Sequence, residues 1–157
     1  MNAFPVESLD ANRLLADWRW LCPKPMSLVA RNVFGELFLA DERGIVFWLN
    51  VTTGTLTQIA NSQADFHRIA ALQENRKDWF VEFEAAAYAE RGLQPSASQC
   101  IGFSVPAVFA EGGTPDTAYL AGLYEYVSFL GDLHRQLATV PVGGKVQLQI
   151  TPPKPTC

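Results

Sequence analysis

Residues 27–60 constrain the fold more than any other part of the chain. Four short apolar segments, 28–32, 36–40, 45–50 and 55–59, are separated by Asn-Val-Phe-Gly, Asp41-Glu42-Arg43-Gly44 and Thr52-Thr53-Gly54. Each separator places a glycine where a tight turn needs positive φ. Connections this short leave no room for a crossover helix, so successive strands must run antiparallel, as a meander. In the third segment Ile45, Phe47 and Leu49 share one face while Val46 and Trp48 take the other. Apolar side chains on both faces predict a central strand covered, at least in part, on both sides.

Helical periods flank this region. Leu14, Leu15, Trp18, Leu21 and Cys22 fall on one face of an expected helix over 7–22, which Pro23 and Pro25 terminate. Ser62-Gln63-Ala64-Asp65 resembles a capping box and opens a short helix whose Phe66, Ile69 and Ala70 point inward. A further helix is expected over 75–91, where Trp79, Phe80, Phe83, Ala86 and Ala87 repeat the one-face spacing up to Gly92. Residues 100–105 read as a strand ending at Pro106, and 110–116 as a loop. Leu120, Leu123, Val127, Leu130, His134 and Leu137 predict a long last helix, although 124–127 is also acceptable as strand. After a turn at Pro141-Val142-Gly143-Gly144, Val146, Leu148 and Ile150 alternate as a last strand. The expected class is α+β. A single antiparallel sheet, the 27–60 meander plus strands near 101–105 and 146–150, would be packed by three or four helices. Residues 1–150 then form one domain with the 7–22 helix as an appendage, and the proline-rich 151–157 is a flexible tail.

Size and composition are consistent with this reading. A chain of 157 residues buries roughly two thirds of its unfolded surface and needs neither metal nor disulfide to fold. With 48% hydrophobic and 18% charged residues it is neither disordered nor a coiled coil. Cys22, Cys100 and Cys157 are far apart, odd in number and form no CxxC, which points to reduced thiols rather than a zinc site. There is no basic, apolar leader and no run approaching the ~20 apolar residues of a membrane span. The expected location is cytoplasmic, with no membrane partner.

No residue pattern specifies an enzyme or a cofactor. Cys100 with His134 and Asp132 is the one nucleophile set, but Asp132 and His134 stand about 200° apart around a helix and diverge. His134 also continues the apolar stripe, so a partly buried, satisfied imidazole accounts for it better. Glu82 and Glu84 likewise point to different sides and make a poor acid–base pair. Gly112-Gly113 lacks both the Walker lysine and the dinucleotide spacing, and reads as a turn. His67 is expected at the surface.

Charge is more informative. The net charge of −4 argues against a nucleic-acid surface, which needs clustered Lys and Arg. That −4 is uneven: residues 78–132 hold eight acids and one base, for −7, and the remainder is +3. Gathered on one face, these acids would attract a basic partner and speed its docking.

Three segments carry a family resemblance. They are Phe34-Gly35-Glu36-Leu37-Phe38-Leu39 with Val46-Phe47-Trp48-Leu49, then Ile101-Gly102-Phe103-Ser104-Val105-Pro106-Ala107-Val108-Phe109 running into Gly112-Gly113, and residues 127–137 followed by Pro141-Val142-Gly143-Gly144-Lys145-Val146. Together they resemble the C-terminal domain of bacterial type VI secretion immunity proteins that neutralise DNase effectors, over residues 27–150. The resemblance implies a non-enzymatic inhibitor that binds a cognate toxin and occludes its active site. Candidate contacts are Glu111 and Asp116 on the Gly-rich loop, with the Asp41-Glu42 turn as a second patch. The competing expectation is a non-catalytic small-ligand-binding or regulatory scaffold, which requires a concave apolar pocket between sheet and helices.

Overall fold

The computed structural model describes residues 4–141 and 143–145. The expected meander forms as β1 (Ser27–Arg31), β2 (Leu37–Ala40), β3 (Val46–Asn50) and β4 (Thr55–Ala60), in the spatial order β1-β2-β3-β4 and antiparallel throughout. Every residue of β2 is buried, because its two faces serve two cores. Leu37 and Leu39 join Leu49 in the main cluster, while Phe38 and Ala40 join Val46 in a second. In that second cluster the Phe38 ring centroid lies 5.3 Å from both Phe66 and Phe80 and 6.1 Å from Trp48. Such aromatic pairs add roughly 0.5–1.5 kcal/mol each beyond the area they bury.

The β1–β2 turn is built by one side chain. Asn32 Oδ1 accepts the backbone N–H groups of Phe34 and Glu36 at 3.0 and 3.1 Å, and Asn32 Nδ2 donates to Trp79 O at 2.9 Å and to the Glu36 carboxylate. At the β3–β4 turn Gly54 has φ +73°, and a Cβ there would lie 2.6 Å from His134 Nδ1. Both backbone conformation and space therefore require glycine.

The class is α+β, with the strand near 101–105 placed differently from expectation. β5 (Gln99–Phe103) does not extend the meander; it pairs antiparallel with β6 (Ala118–Gly122) in a separate two-stranded sheet. The meander touches it through the Ile101 N–H, which donates to Val33 O at 2.8 Å. β6 was hidden because Leu120 stands three residues before Leu123 and so matches the helical stripe. The last helix, α5 (Leu123–Leu137), begins only after Gly122, its N-cap. The Glu125 carboxylate occupies the space a Cβ at Gly122 would take, and an acid in the first turn favours the helix dipole. The expected strand 146–150 and tail 151–157 lie outside the described residues.

Two expected helices are broken, each for a packing reason. The 7–22 segment contains only α1 (Ala11–Leu14), capped by Asp10 accepting from the Arg13 N–H, and a 3₁₀ turn at Ala16–Trp18. Trp18 Nε1 donates to Val127 O at 2.8 Å and Trp20 Nε1 to Gly131 O at 3.2 Å. A continuous α-helix would point residues 18 and 20 to opposite sides; breaking it lets both indoles reach carbonyls one turn apart on α5. Leu14, Leu15, Trp18 and Cys22 are completely buried, so the expected appendage supplies a wall of the main core.

The short helix capped by Ser62 forms as expected, as α2 (Gln63–Ala70), with Ser62 Oγ accepting the Asp65 N–H at 3.0 Å. The 75–91 segment divides into α3 (Gln73–Trp79) and α4 (Glu82–Glu90) at Val81, whose φ of +46° is rare for a β-branched residue. Trp79 and Phe80 belong to the Phe38 cluster, whereas Val81, Ala85 and Tyr88 pack with Val33 and Ile101 in a third. One straight helix cannot serve both. The break re-phases α4, and the stripe Trp79, Phe80, Phe83, Ala86, Ala87 is consequently not one surface: its last three members are exposed.

Candidate protein-binding face

α4 turns its apolar residues the wrong way for a helix covering a core. Phe83, Ala86, Ala87 and Glu90, at i, i+3, i+4 and i+7, are all exposed, and Phe83 is 82% exposed. Tyr88 packs inward instead, edge-on to Phe34 at 6.0 Å. The signal was present in the spacing. Phe83 and Tyr88 are the only large apolar residues of α4 and stand five apart, about 140° around the helix, so one of them must face outward. Glu84 and Glu90 are exposed on the same helix, and neither forms an ion pair among the described residues.

The Gly-rich loop abuts the C-terminal end of α4. Ser104 N–H donates to Thr117 O at 2.9 Å and Gly113 N–H to Val105 O at 3.0 Å, closing residues 104–117 into a compact loop. Arg91, which stands 5.6 Å over the Tyr88 ring, donates from Nη2 to Pro115 O at 3.1 Å and so pins the loop to the helix. Asp116 is exposed there. Its carboxyl is held below its ordinary value by the Thr114 hydroxyl first and by the nearby Arg91 charge least. Glu111 and Val108 are exposed on the same loop. Glu84, Glu90, Glu111 and Asp116 are thus carried by α4 and the loop pinned to it.

The second expected patch is a correction. Asp41 is buried, with its side chain 3% exposed, and is consumed in forming the β2–β3 turn. Its Oδ1 accepts the Arg43 and Ile45 N–H groups at 2.9 and 3.1 Å, and its Oδ2 pairs with Arg43 at 2.8 Å. Burial raises the Asp41 carboxyl, but the Arg43 side chain and these two N–H groups outweigh that and hold it below its usual value. Glu42 is exposed, yet this turn lies at the other end of β2 from the Asn32 turn that adjoins β5 and α4. The structure therefore separates Glu42 from Glu111 and Asp116.

The Cys100, His134 and Asp132 set does not assemble. Burial pushes the Cys100 thiol up to about 12, far from a reactive thiolate. His134 Nε2 lies 3.0 Å from Val51 O, and burial lowers the imidazole below its ordinary value. Asp132 pairs with Arg135 at 2.6 Å on its own helix. Glu82 pairs with Arg76 at 3.2 Å, whereas Glu84 projects into solvent, and His67 is exposed. No group of three or more potential metal ligands occurs among the described residues, and no helix among them is long and apolar enough to cross a membrane.

A concave cavity of about 650 Å³ lies behind α4. Its walls include Arg31 at the end of β1 and Val33 just after it, Arg76 and Phe80 from α3 and its end, Glu82, Ala86 and Ala89 from α4, Leu93 and Pro95 from the following loop, and Phe4. A concave pocket between sheet and helices is what the competing scaffold expectation requires, but its position and the burial of Arg31 depend on how α4 sits against the end of the meander.

Comparison of the chain with known family models gives no match, and comparison with curated proteins gives none.

Proposed function

We propose that this chain is a non-enzymatic immunity-type protein that binds a basic toxin, of nuclease type, and occludes its active site. The observation that carries the reading is Phe83, 82% exposed on the outward face of α4 and accompanied by acids with few bases between them. An aromatic ring held in water on a helix is an anchor of the kind that dominates protein interfaces. Burying it in a partner's pocket contributes about 1.5–3 kcal/mol. Glu84 and Glu90 on α4, with Glu111 and Asp116 on the pinned loop, add the charge that steers a basic surface into register. A nuclease groove is basic because it holds phosphates, so an acidic inhibitor face matches it. The family resemblance over 27–150 points to the same class of partner, and the reading needs no cofactor.

The test is association with the product of a toxin-like reading frame adjacent to this one. Glu111→Lys with Asp116→Lys should slow association several-fold at low ionic strength and much less at high salt, while dissociation changes little. Association kinetics identical to the wild type at both salt concentrations would remove the loop from the interface.

A further inference from the structure

An edge strand offers unpaired backbone N–H and C=O groups to any extended chain, and proteins blunt such edges with bulges, charge or cover. Both edges of the meander are blunted: β1 shifts register between Leu28 and Ala30, and β4 shifts opposite Val46 and Phe47. The outer edge of β5 is occupied, because the Ile101 N–H donates to Val33 O and Arg31 Nη2 donates to Gln99 O at 2.7 Å. β6 differs. Its 5 residues pair with β5 without a shift, include neither charge nor proline, and have no strand partner on their other side among the described residues.

The register identifies the groups on that side. Ser104 N–H donates to Thr117 O and Leu123 N–H to Ser98 O, so Thr117, Tyr119, Ala121 and Leu123 turn their backbone groups towards β5. Ala118, Leu120 and Gly122 turn theirs outward. The Ala118 N–H is taken by Pro115 O. Ala118 O, the N–H and C=O of Leu120 and the Gly122 N–H have no partner among the described residues. Tyr119 and Gly122 are exposed and Leu120 is half-buried.

We propose that the open edge of β6 takes up an extended segment of a basic protein as an added strand, with Lys or Arg at the ends of that segment. An antiparallel segment exchanges a pair of hydrogen bonds with Leu120, donates to Ala118 O and accepts from the Gly122 N–H. Exposed acids stand at both ends of the edge. Asp116 lies in the loop that leads into β6, and the Glu125 carboxylate lies over Gly122 at the start of α5. Residues 92–134 contain no Lys or Arg, and Arg91 is held on Pro115 O. Two copies of this chain paired antiparallel through Leu120 would set the Asp116 end of one against the Glu125 end of the other. Like charges therefore oppose a self-pair and favour a basic segment. The inference rests on the reading of this chain as a binder of a basic protein, and adds the backbone contact that holds the partner beside Glu111 and Asp116.

Amide hydrogen exchange of the full chain tests it, with a blocked heptapeptide of alternating valine and threonine ended by lysines, and its glutamate-ended counterpart as control. Without peptide, the Leu120 and Gly122 amides should exchange fast, and those of Tyr119 and Ala121, bonded to β5, slowly. Saturating lysine-ended peptide should slow Leu120 and Gly122 by roughly tenfold or more. It should also bind several-fold more tightly than the glutamate-ended peptide at low ionic strength, and the difference should shrink in high salt. Leu120→Pro removes an outward N–H and no bond to β5, so it should weaken the peptide by roughly tenfold or more. Leu120→Ala keeps that N–H and should bind within about threefold of the wild type. If Leu120→Pro does not fold, the exchange pattern and the two peptides decide.

Slow exchange at Leu120 and Gly122 in the peptide-free chain would overturn the proposal. Where it is independent of protein concentration, the chain's own residues fill the edge; where it grows with concentration, a second copy does. No binding of the lysine-ended peptide, equal binding of both peptides at low salt, or wild-type binding by Leu120→Pro would also overturn it. Peptide uptake by a chain that fails to protect cells would remove the toxin reading alone, and protection without peptide uptake would remove the edge alone.

Discussion

Replacing Gly131 with alanine tests how the N-terminal segment is held on α5. In most helix interiors this change stabilises by about 1 kcal/mol, because alanine has the higher helix propensity. Here a Cβ would lie 2.7 Å from Asp17 O and 2.9 Å from both Asp17 C and Trp18 Nε1. Two of those atoms are backbone, so no rotamer change relieves the contact, and overpacking of this kind costs about 1–3 kcal/mol. Separating the segments also lengthens the Trp18 bond to Val127 O, now 2.8 Å, and the Trp20 bond to Gly131 O, now 3.2 Å, each worth about 1 kcal/mol net. The expected sum is a loss of about 1–3 kcal/mol, which for a chain of this length lowers Tm by roughly 2–4 °C per kcal/mol. Urea unfolding followed by tryptophan fluorescence measures it. In the double variant with Trp18→Phe the losses should be less than additive, since removing the indole N–H relieves one close contact. A Gly131→Ala chain as stable as the wild type, or more so, would refute the close approach of 16–20 to α5.

Other consequences follow from the buried polar groups. Burial raises the Glu36 carboxyl above its ordinary 4.5, with Asn32 partly offsetting it. Its contribution to stability is therefore complete below about pH 4.5 and is lost as pH rises through the folded value. Glu36→Gln should gain stability relative to the wild type over that rise, and parallel stability curves from acid to neutral pH would contradict it. His134 acts in the opposite direction: its lowered value means stability is complete above about pH 6.5 and falls as pH drops through the folded value. His134→Asn should flatten that acid-side loss in pH-dependent unfolding, and an unchanged slope would exclude the buried imidazole as its source. Cys22 and Cys100 are buried with raised thiol values, so in a Cys157→Ser chain thiol reagents should react only as fast as the protein opens, and rapid native-state labelling would contradict this.

The parts legible in the sequence are those governed by local rules. The four meander strands lie within a residue or two of their expected bounds, because three short glycine turns leave no other topology. The Ser62 cap and the inward Phe66 and Ala70 were readable for the same reason. What escaped depends on competition between cores. Trp18 and Trp20 could both reach α5 only if the first helix broke, and Phe80 and Tyr88 could enter different clusters only if α3 and α4 parted at Val81. No periodicity within 75–91 contains that choice, so Phe83 looked like a core residue. Asp41 looked like a surface acid because the sequence does not reveal that Arg43 and Ile45 will claim both of its oxygens. The exposure of Glu111 and Asp116 was readable from their place in a Gly-rich loop, whereas the Arg31 cavity required the tertiary structure.

Growth of bacteria expressing the product of a neighbouring reading frame found to be lethal, with this chain supplied as wild type or as Phe83→Asp, tests the proposed function most directly. Phe83 makes almost no contribution to the core at 82% exposure, so the variant should accumulate and fold as the wild type does. The predicted result is rescue by the wild type and none by Phe83→Asp at equal soluble level. Failure of the wild type to rescue, or full rescue by Phe83→Asp, would contradict the account.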